Sequence, residues 1–390
     1  SSGTTGLQKG VALSNQAVIR QVDTYSAELR LVKDDVIVSW LPLYHDMGLI
    51  AGFLLPVISG VPLVLMSPFD WVRAPHRLLQ AVSTYKGTLT WLPNFAYNFC
   101  AQKIRERDIT DVDLSSWRAI SNCSEPMRWE SHQLFYERFK SKGLSYSALT
   151  TCYAMAENVF AVSQGGIDSP VKTLAVDSVS LISQRKLAPP ASTAQTLILL
   201  SAGKPISNTR VRIFDHAHKP LGEDEIGEIA LQSDCMLTSY YHRIDATRKA
   251  FHKKWFLTGD LGFLHHGEIY VIGRKKDLII VGGKNIFPQD LENLAYGVKG
   301  IHPGRAVAFG VMNEALGTEE VVIVAECEAG LNDPHLLSEL EGKIRMAVIQ
   351  GSEVAPRVVK VVQPPWILKT SSGKTARSAN RDKYLNQYSN

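Results

Sequence analysis

At 390 residues the chain exceeds what one ordinary core accommodates, so two or three domains are expected, and its 45% hydrophobic and 21% charged content excludes disorder, collagen-like repeats and coiled coil. The net charge of +4 is the excess of 42 basic over 38 acidic side chains, too small to mark a nucleic-acid surface. Cys100, Cys123, Cys152, Cys235 and Cys327 are odd in number, widely spaced and without a C-x-x-C pair, which disfavours a disulfide framework and a structural zinc site and fits a reducing, cytoplasmic setting.

The chain opens on a glycine- and hydroxyl-rich loop, residues 1–11. Gly3, Gly6 and Gly10 permit close backbone approach to an anion, while Ser2, Thr4, Thr5 and Lys9 add donors, so the loop is suited to phosphate. It lacks the Walker A spacing, and a flexible linker is the ordinary alternative. Ser14 then reads as the N-cap of a helix through Ala17, Val18, Val22 and Leu29. Apolar runs at 36–41, 62–66, 88–92 and 118–122 alternate with helix-like segments at 73–85, 95–107 and 129–140, the pattern of an α/β layer with a largely parallel sheet. The longest apolar run, 49–58, is interrupted by Gly52 and Pro56 and is too short for a bilayer, so no transmembrane segment is expected.

Between 165 and 202 the texture turns to Ser, Pro, Gln and Val without a helical period, which predicts an inserted surface loop or hairpin. Short strands follow at 211–214, 227–231 and 268–272. Gly273-Arg274-Lys275-Lys276-Asp277 reads as a boundary. Beyond it lie a hairpin over 278–287, a helix at 288–296, strands at 306–311 and 321–327, a helix at 334–349 and a strand at 357–362. The expected fold is α/β: a large N-terminal α/β domain with a β-rich subdomain, residues 1–274, and a small mobile α+β C-terminal domain, residues 275–390.

Several clusters carry possible chemistry. The loop Lys369-Thr370-Ser371-Ser372-Gly373-Lys374-Thr375 projects Lys374, a cation able to offset charge on a phosphoryl group or carboxylate, although a solvated loop lysine is the ordinary explanation. Tyr153-Ala154-Met155-Ala156-Glu157 sets an aromatic face near a carboxylate, suited to stacking on a base and holding Mg2+ beside phosphates, or simply to core packing. Thr258-Gly259-Asp260 offers a turn carboxylate that could bind a ribose or merely brace the turn. Tyr44-His45-Asp46-Met47-Gly48 places a histidine beside an acid at the start of an apolar helix, as a gate, a base or a cap.

Taken together and in this order, these motifs resemble the adenylate-forming superfamily of acyl-CoA synthetases, luciferases and peptide-synthetase adenylation domains. With YHDMGLI, Pro93-Asn94-Phe95-Ala96-Tyr97, Asp113-Leu114-Ser115-Ser116-Trp117, Ser124-Glu125-Pro126 and the stretch from Lys284 to Asp290, the chain looks most like fatty acyl-AMP ligases. The resemblance covers the whole chain and implies ATP-dependent conversion of a fatty acid to an acyl-adenylate, then transfer to the phosphopantetheine thiol of an acyl carrier protein, as in polyketide or lipopeptide biosynthesis. A fatty acyl-CoA synthetase using CoA as the thiol, or an inactive nucleotide-binding module, are the alternatives.

By the same resemblance, Ser2, Gly3, Thr4, Thr5, Gly6 and Lys9 would hold the β- and γ-phosphates, and Glu157 with Thr5 would hold Mg2+. Lys374 would bridge the carboxylate and α-phosphate as the leading catalytic residue, with Glu157 and His45 beside it, His45 near the acyl entrance. Ser124, Glu125, Pro126, Tyr153, Ala154, Met155 and Ile272 would frame the nucleotide, Asp260 and Arg274 would bind the ribose, and Lys276 would be the hinge. Ala154 and Gln8 depart from the glycine and proline usual at those positions. The family carries further sequence before the phosphate loop, which implies that the chain begins inside the family domain.

Overall fold

The computed structural model describes residues 9–167, 169–281, 284–314, 316–328, 330, 331, 333–352, 354–370 and 373–388. Its largest element is a seven-stranded sheet in the order Lys204–Pro205, Ala161–Gly165, Leu149–Ala154, Ala119–Cys123, Leu89–Leu92, Ile37–Ser39, Leu63–Leu65. The five strands from Leu149–Ala154 to Leu63–Leu65 run parallel, and Ala161–Gly165 and Lys204–Pro205 join antiparallel. The inner strands are buried along their length, as expected where helices cover both faces.

The helices follow local rules. Asn15–Glu28 starts where Ser14 Oγ accepts the Ala17 N–H at 3.1 Å. The helix expected over 73–85 begins at His76, because Ala74 before Pro75 leaves the helical conformation and separates it from a preceding helix, Pro68–Arg73. That expected over 95–107 ends at Lys103, where Ile104 turns extended. Aromatic side chains fill the space between layers: Tyr25 accepts the Trp91 indole N–H at 2.9 Å and donates to Gln164 Oε1 at 2.8 Å, and Tyr97 donates to the Ile120 carbonyl at 2.8 Å. Each buried hydroxyl thereby has a partner, which burial demands.

A five-stranded antiparallel sheet packs beyond the antiparallel edge, built from Thr209–Phe214, Gly227–Ser233, Phe251–His252, Trp255–His265 and Glu268–Arg274. The stretch read as irregular between 165 and 202 holds a hairpin, Thr173–Asp177 with Thr196–Leu200, and a helix, Ser178–Gln184, capped by Asp177. This insertion does not lie only on the surface. Ser178 Oγ donates to the Gly351 carbonyl at 3.1 Å, so it touches the C-terminal region.

That region contains the hairpin Ile279–Val281 with Lys284–Ile286, the helix Pro288–Tyr296, and a three-stranded sheet of Ile301–Asn313, Thr318–Cys327 and Val358–Val362. The helices Pro334–Ser352 and Arg377–Tyr388 pack on it, the second absent from the sequence expectation. It has apolar clusters of its own, one around Leu291, Ile323 and Ile344 and another around Phe309, Trp366 and Tyr384. None of the described helices is long and apolar enough to cross a membrane.

Candidate active site

The candidate residues gather at the carboxyl ends of the parallel strands, where open α/β sheets place ligands. Tyr153 and Ala154 end the strand Leu149–Ala154, and Glu157 lies in the 3-10 turn that follows. Asp260 and Arg274 are cross-strand partners in the five-stranded sheet, with Arg274 Nε 3.1 Å from Asp260 Oδ1. Tyr153 donates to Asp260 Oδ2 at 2.7 Å, joining the two sheets through one carboxylate. Asp260 holds the Arg274 guanidinium above its ordinary pKa, and burial beside the same carboxylate pushes the Tyr153 hydroxyl up. The carboxylate is aimed by its turn: Gly259 takes φ +74°, its N–H donates to Glu228 Oε1 at 3.1 Å, and the Asp260 N–H donates to Thr258 Oγ1 at 3.0 Å. Only glycine adopts that backbone without strain.

Glu157 is 8% exposed and accepts a hydrogen bond from the Tyr240 hydroxyl at 2.9 Å. Tyr240 pairs with Val11 across a two-stranded ladder, and Lys9 Nζ lies 4.7 Å from the centre of its ring. Burial and the Glu157 carboxylate keep that hydroxyl protonated far above its ordinary range. The exit of the glycine-rich loop and the acidic turn are therefore tied together by an aromatic residue that no local motif singled out. Ser2, Gly3, Thr4, Thr5 and Gly6 lie outside the described residues.

A second group surrounds the strand end Ala119–Cys123. Ser124 takes φ +69°, and the Glu125 carboxylate accepts the Phe95 N–H at 2.9 Å, capping the helix Asn94–Lys103. Burial raises the Glu125 carboxyl, and the Phe95 hydrogen bond and the charges of Lys374 and Lys369 oppose that rise. His45 Nδ1 lies 2.6 Å from Asp46 Oδ1, which also accepts the Met47 N–H at 2.9 Å. Although desolvation works against it, the His45 contact and the Lys374 charge hold Asp46 below the ordinary carboxylate range. Lys374 answers them from the C-terminal region. Burial pulls its ammonium below the ordinary lysine value, and Asp46 and Glu125 pull it back up.

The remaining expected residues sit at the seam between the regions. Pro126, Ile272 and Asp290 share a small cavity with Arg128 and Leu181, and the Ile272 carbonyl accepts the Gln289 side-chain N–H at 2.5 Å. Arg128 lies 3.2 Å from Asp290 Oδ1 and donates to the Gln289 carbonyl, also at 3.2 Å. Met155 packs against the apolar cluster around Tyr153 and Ile229. Lys276 is exposed in the 3-10 turn Lys275–Asp277, whose Asp277 is 3.1 Å from Arg377. Sequence reading thus missed Tyr240, Arg128 and Arg377, whose partners are distant in the chain, and gave Asp290 only as the end of a motif, without a role. Among the described residues no group of three or more His, Cys, Asp or Glu could hold a metal alone.

A protein-family model described as AMP-binding enzyme matches residues 1–241. The chain belongs to this family. Its resemblance to adenylate-forming enzymes thus holds, and the relatives it matches include ligases of fatty acids. It is 33% identical over 397 residues to the medium-chain-fatty-acid–[acyl-carrier-protein] ligase JamA of Moorena producens, covering 98% of this chain and 67% of JamA. A solved structure from a study of fatty acyl-adenylate ligases of E. coli and L. pneumophila superposes with TM-score 0.91 at 30% identity, covering 99% of this chain and 69% of that one. The L. pneumophila fatty acyl-adenylate ligase in complex with acyl adenylate and pyrophosphate matches with TM-score 0.69 at 31% identity, over 97% of this chain and 67% of that one. The chain spans about two thirds of the length of each of these three proteins. The same α/β architecture, a large N-terminal part with a small C-terminal one, is common to this AMP-binding enzyme and the ligases it matches.

Proposed function

We propose that this AMP-binding enzyme activates a fatty acid with ATP and passes the acyl group to the phosphopantetheine thiol of an acyl carrier protein. The observation that carries the reading is that Lys374, from the C-terminal region, lies where the charges of Asp46, at the head of a helix, and Glu125, at a strand end, act on it. The Tyr153, Asp260 and Arg274 cluster stands at the neighbouring strand end. A carboxylate and a triphosphate repel each other, and the chemistry consists mainly of cancelling that repulsion while aligning them.

In the first step a carboxylate oxygen attacks the α-phosphorus, the bond from that phosphorus to the bridging oxygen breaks, and pyrophosphate leaves with the electron pair. Lys374 offsets the charge shared between carboxylate and α-phosphate. Arg274 and Asp260 orient the ribose, while Ser124, Glu125, Pro126, Ala154, Met155 and Ile272 shape the wall beside the Tyr153 ring. In the second step the thiol sulfur attacks the acyl carbon, AMP leaves with the shared oxygen, and the thiol proton passes to solvent or a base. His45 stands beside the acyl path.

Phosphate-bound Mg2+ is typically held by one or two protein carboxylates, so the buried carboxylate of Glu157, with Thr5, would hold it here. The metal would supply charge neutralisation. Ser2, Gly3, Thr4, Thr5, Gly6 and Lys9 would hold the outer phosphates. Residues 1–274 and 275–390 act as two bodies with Lys276 as the hinge, which suits its place in an exposed turn between two ion-paired neighbours, Lys275 with Glu228 and Asp277 with Arg377. The contact of the inserted helix with Gly351 favours a restrained C-terminal body and hence the carrier protein over CoA.

The test is incubation with ATP, Mg2+ and fatty acids of graded length, read by mass spectrometry. Acyl-AMP is expected to accumulate and to move to a pantetheinylated carrier protein on its addition. Rapid acyl-CoA formation on adding CoA contradicts the carrier assignment, and absence of adenylate with every acid contradicts the activity.

A further inference from the structure

The segment Pro93-Asn94-Phe95-Ala96-Tyr97 stands out in the sequence, yet no step above uses Phe95. The structure gives it a specific place. Its ring is half-buried, held from behind by edge contacts to Trp40 and Trp71 with centroids 6.4 and 6.1 Å away. Those two indoles stack at 3.6 Å and 4°, forming a rigid backing. Its backbone is fixed as well, since its N–H donates to Glu125 Oε2 at 2.9 Å. The exposed part of the ring meets the lysine loop. A Cβ on Gly373 would come within 3.0 Å of Phe95 Cε1 and 3.2 Å of Cζ, and Lys369 Nζ lies 5.9 Å from the ring centre.

The loop arrives there already shaped. Lys369 and Thr375 bridge across its base, the Thr370 N–H donates to the Lys374 carbonyl at 2.7 Å, and the Lys374 N–H donates to Thr370 Oγ1 at 3.1 Å. Below that base, buried Asn380 accepts the Leu368 N–H at 2.8 Å and donates to the Leu368 and Ala376 carbonyls at 2.9 and 2.8 Å. A clamped loop that touches an immobilised ring at a glycine is a key in a fixed seat. Moving the ring moves the residue after that glycine, which is Lys374.

We propose that Phe95 is a positioning residue, the seat on which the Lys374 loop docks for adenylation through its contact with Gly373. Gly373 is glycine for two reasons that act together, its φ of +83° and the absence of room for a Cβ against the ring. The seat acts only while the C-terminal region presents its lysine. Transfer of an acyl group from a finished adenylate does not require it. The inference rests on the adenylation reading for its catalytic consequence, but the docking contact can be measured without any reaction.

The experiment compares the parent chain with Phe95→Ala, Phe95→Leu and Phe95→Tyr by three readouts: acid-dependent ATP–pyrophosphate exchange, thiolysis of supplied dodecanoyl-adenylate by free pantetheine, and trypsin cleavage after Lys369 and Lys374 followed by mass spectrometry. Misplacing a reacting group by about 1 Å costs about 100-fold, so Phe95→Ala is expected to lower exchange kcat by that order with KM for ATP little changed. Cleavage should accelerate about tenfold because proteolysis follows the open population. Thiolysis should stay within about twofold, Phe95→Leu should fall between, and Phe95→Tyr should restore exchange and protection by returning the ring. Equal losses of exchange and thiolysis, or unchanged exchange and cleavage in the Ala and Leu variants, overturn the proposal. If Phe95→Ala does not fold, Phe95→Leu carries the same comparison. A parent chain that makes no adenylate, combined with faster cleavage in the variants, overturns the adenylation reading and leaves the seat standing.

Discussion

The seven-stranded sheet and the seam to the C-terminal region are held by different mixtures of apolar and polar contact. Inside the sheet layer, Phe135, Trp91, Trp117 and Tyr97 are fully buried among apolar neighbours, and such contacts cannot be exchanged for water without loss. Across the seam polar pairs, Arg128 with Asp290, Gln289 with the Ile272 carbonyl and Ser178 with the Gly351 carbonyl, stand beside the buried Phe287 ring among Phe263, Tyr270 and Ile272. Water can replace each polar partner at modest net cost, which suits the proposed movement of the C-terminal region while the sheet layer stays whole. On the proposed reading stability and chemistry are separable, because Lys374, the lysine assigned to adenylation, is carried by the part attached partly through these polar pairs.

Breaking the apolar side should abolish the fold before it touches chemistry. Phe135→Ala removes a ring that makes edge contacts with Tyr97 and Phe139 and should cost about 3–5 kcal/mol, read as a lowered urea midpoint. Breaking the polar side should do the reverse. Lys374→Ala should lower adenylation by roughly 100- to 1,000-fold, about 2.7–4 kcal/mol of barrier, with an unchanged urea midpoint. The alkaline limb of kcat/KM should fall below the ordinary lysine value of 10.5, since burial first of all lowers the Lys374 pKa and its positive form is the useful one. Arg128→Ala strands the Asp290 carboxyl, already raised by burial, and should cost the closed arrangement about 1–3 kcal/mol. That loss should appear as weaker pyrophosphate exchange and a larger radius in solution scattering, with the sheet layer still folded.

One buried histidine sharpens the comparison by pH. His132 faces Asn122 Nδ2 at 3.1 Å and stacks on Tyr97, and burial depresses its pKa to about 3. Its folded-state value lies below the unfolded one, so its contribution is complete above pH 6.5 and is lost as pH falls from there toward 3, because only the unfolded chain takes the proton. The slope should approach about 1.4 kcal/mol per pH unit, and His132→Gln should flatten it. The smallest effect is expected at Ser14→Ala, about 1 kcal/mol, through loss of the cap on Asn15–Glu28.

The parallel strands were legible because each reads as an apolar run, Leu89–Leu92 and Ile37–Ser39 among them, and Ser14 announced its helix. The strand Trp255–His265 was not, since Thr258-Gly259-Asp260 interrupts its pattern with the residues of a turn. The helix Arg377–Tyr388 buries only Asn380 and Tyr384 among its described residues, too few to draw an apolar stripe. At the site, motif residues Tyr153, Asp260 and Arg274 come together as a bonded set, but Tyr240 and Arg128 owe their roles to partners 83 and 162 positions away. Local patterning carries no signal for such pairs.

The central claim, that the exchangeable region delivers Lys374 to an adenylation site, is tested most directly by acid-dependent ATP–pyrophosphate exchange in the parent chain and Lys374→Ala at matched stability. The account predicts exchange in the parent with at least one fatty acid and its loss by roughly 100-fold or more in the variant. Equal exchange in the two proteins would contradict it.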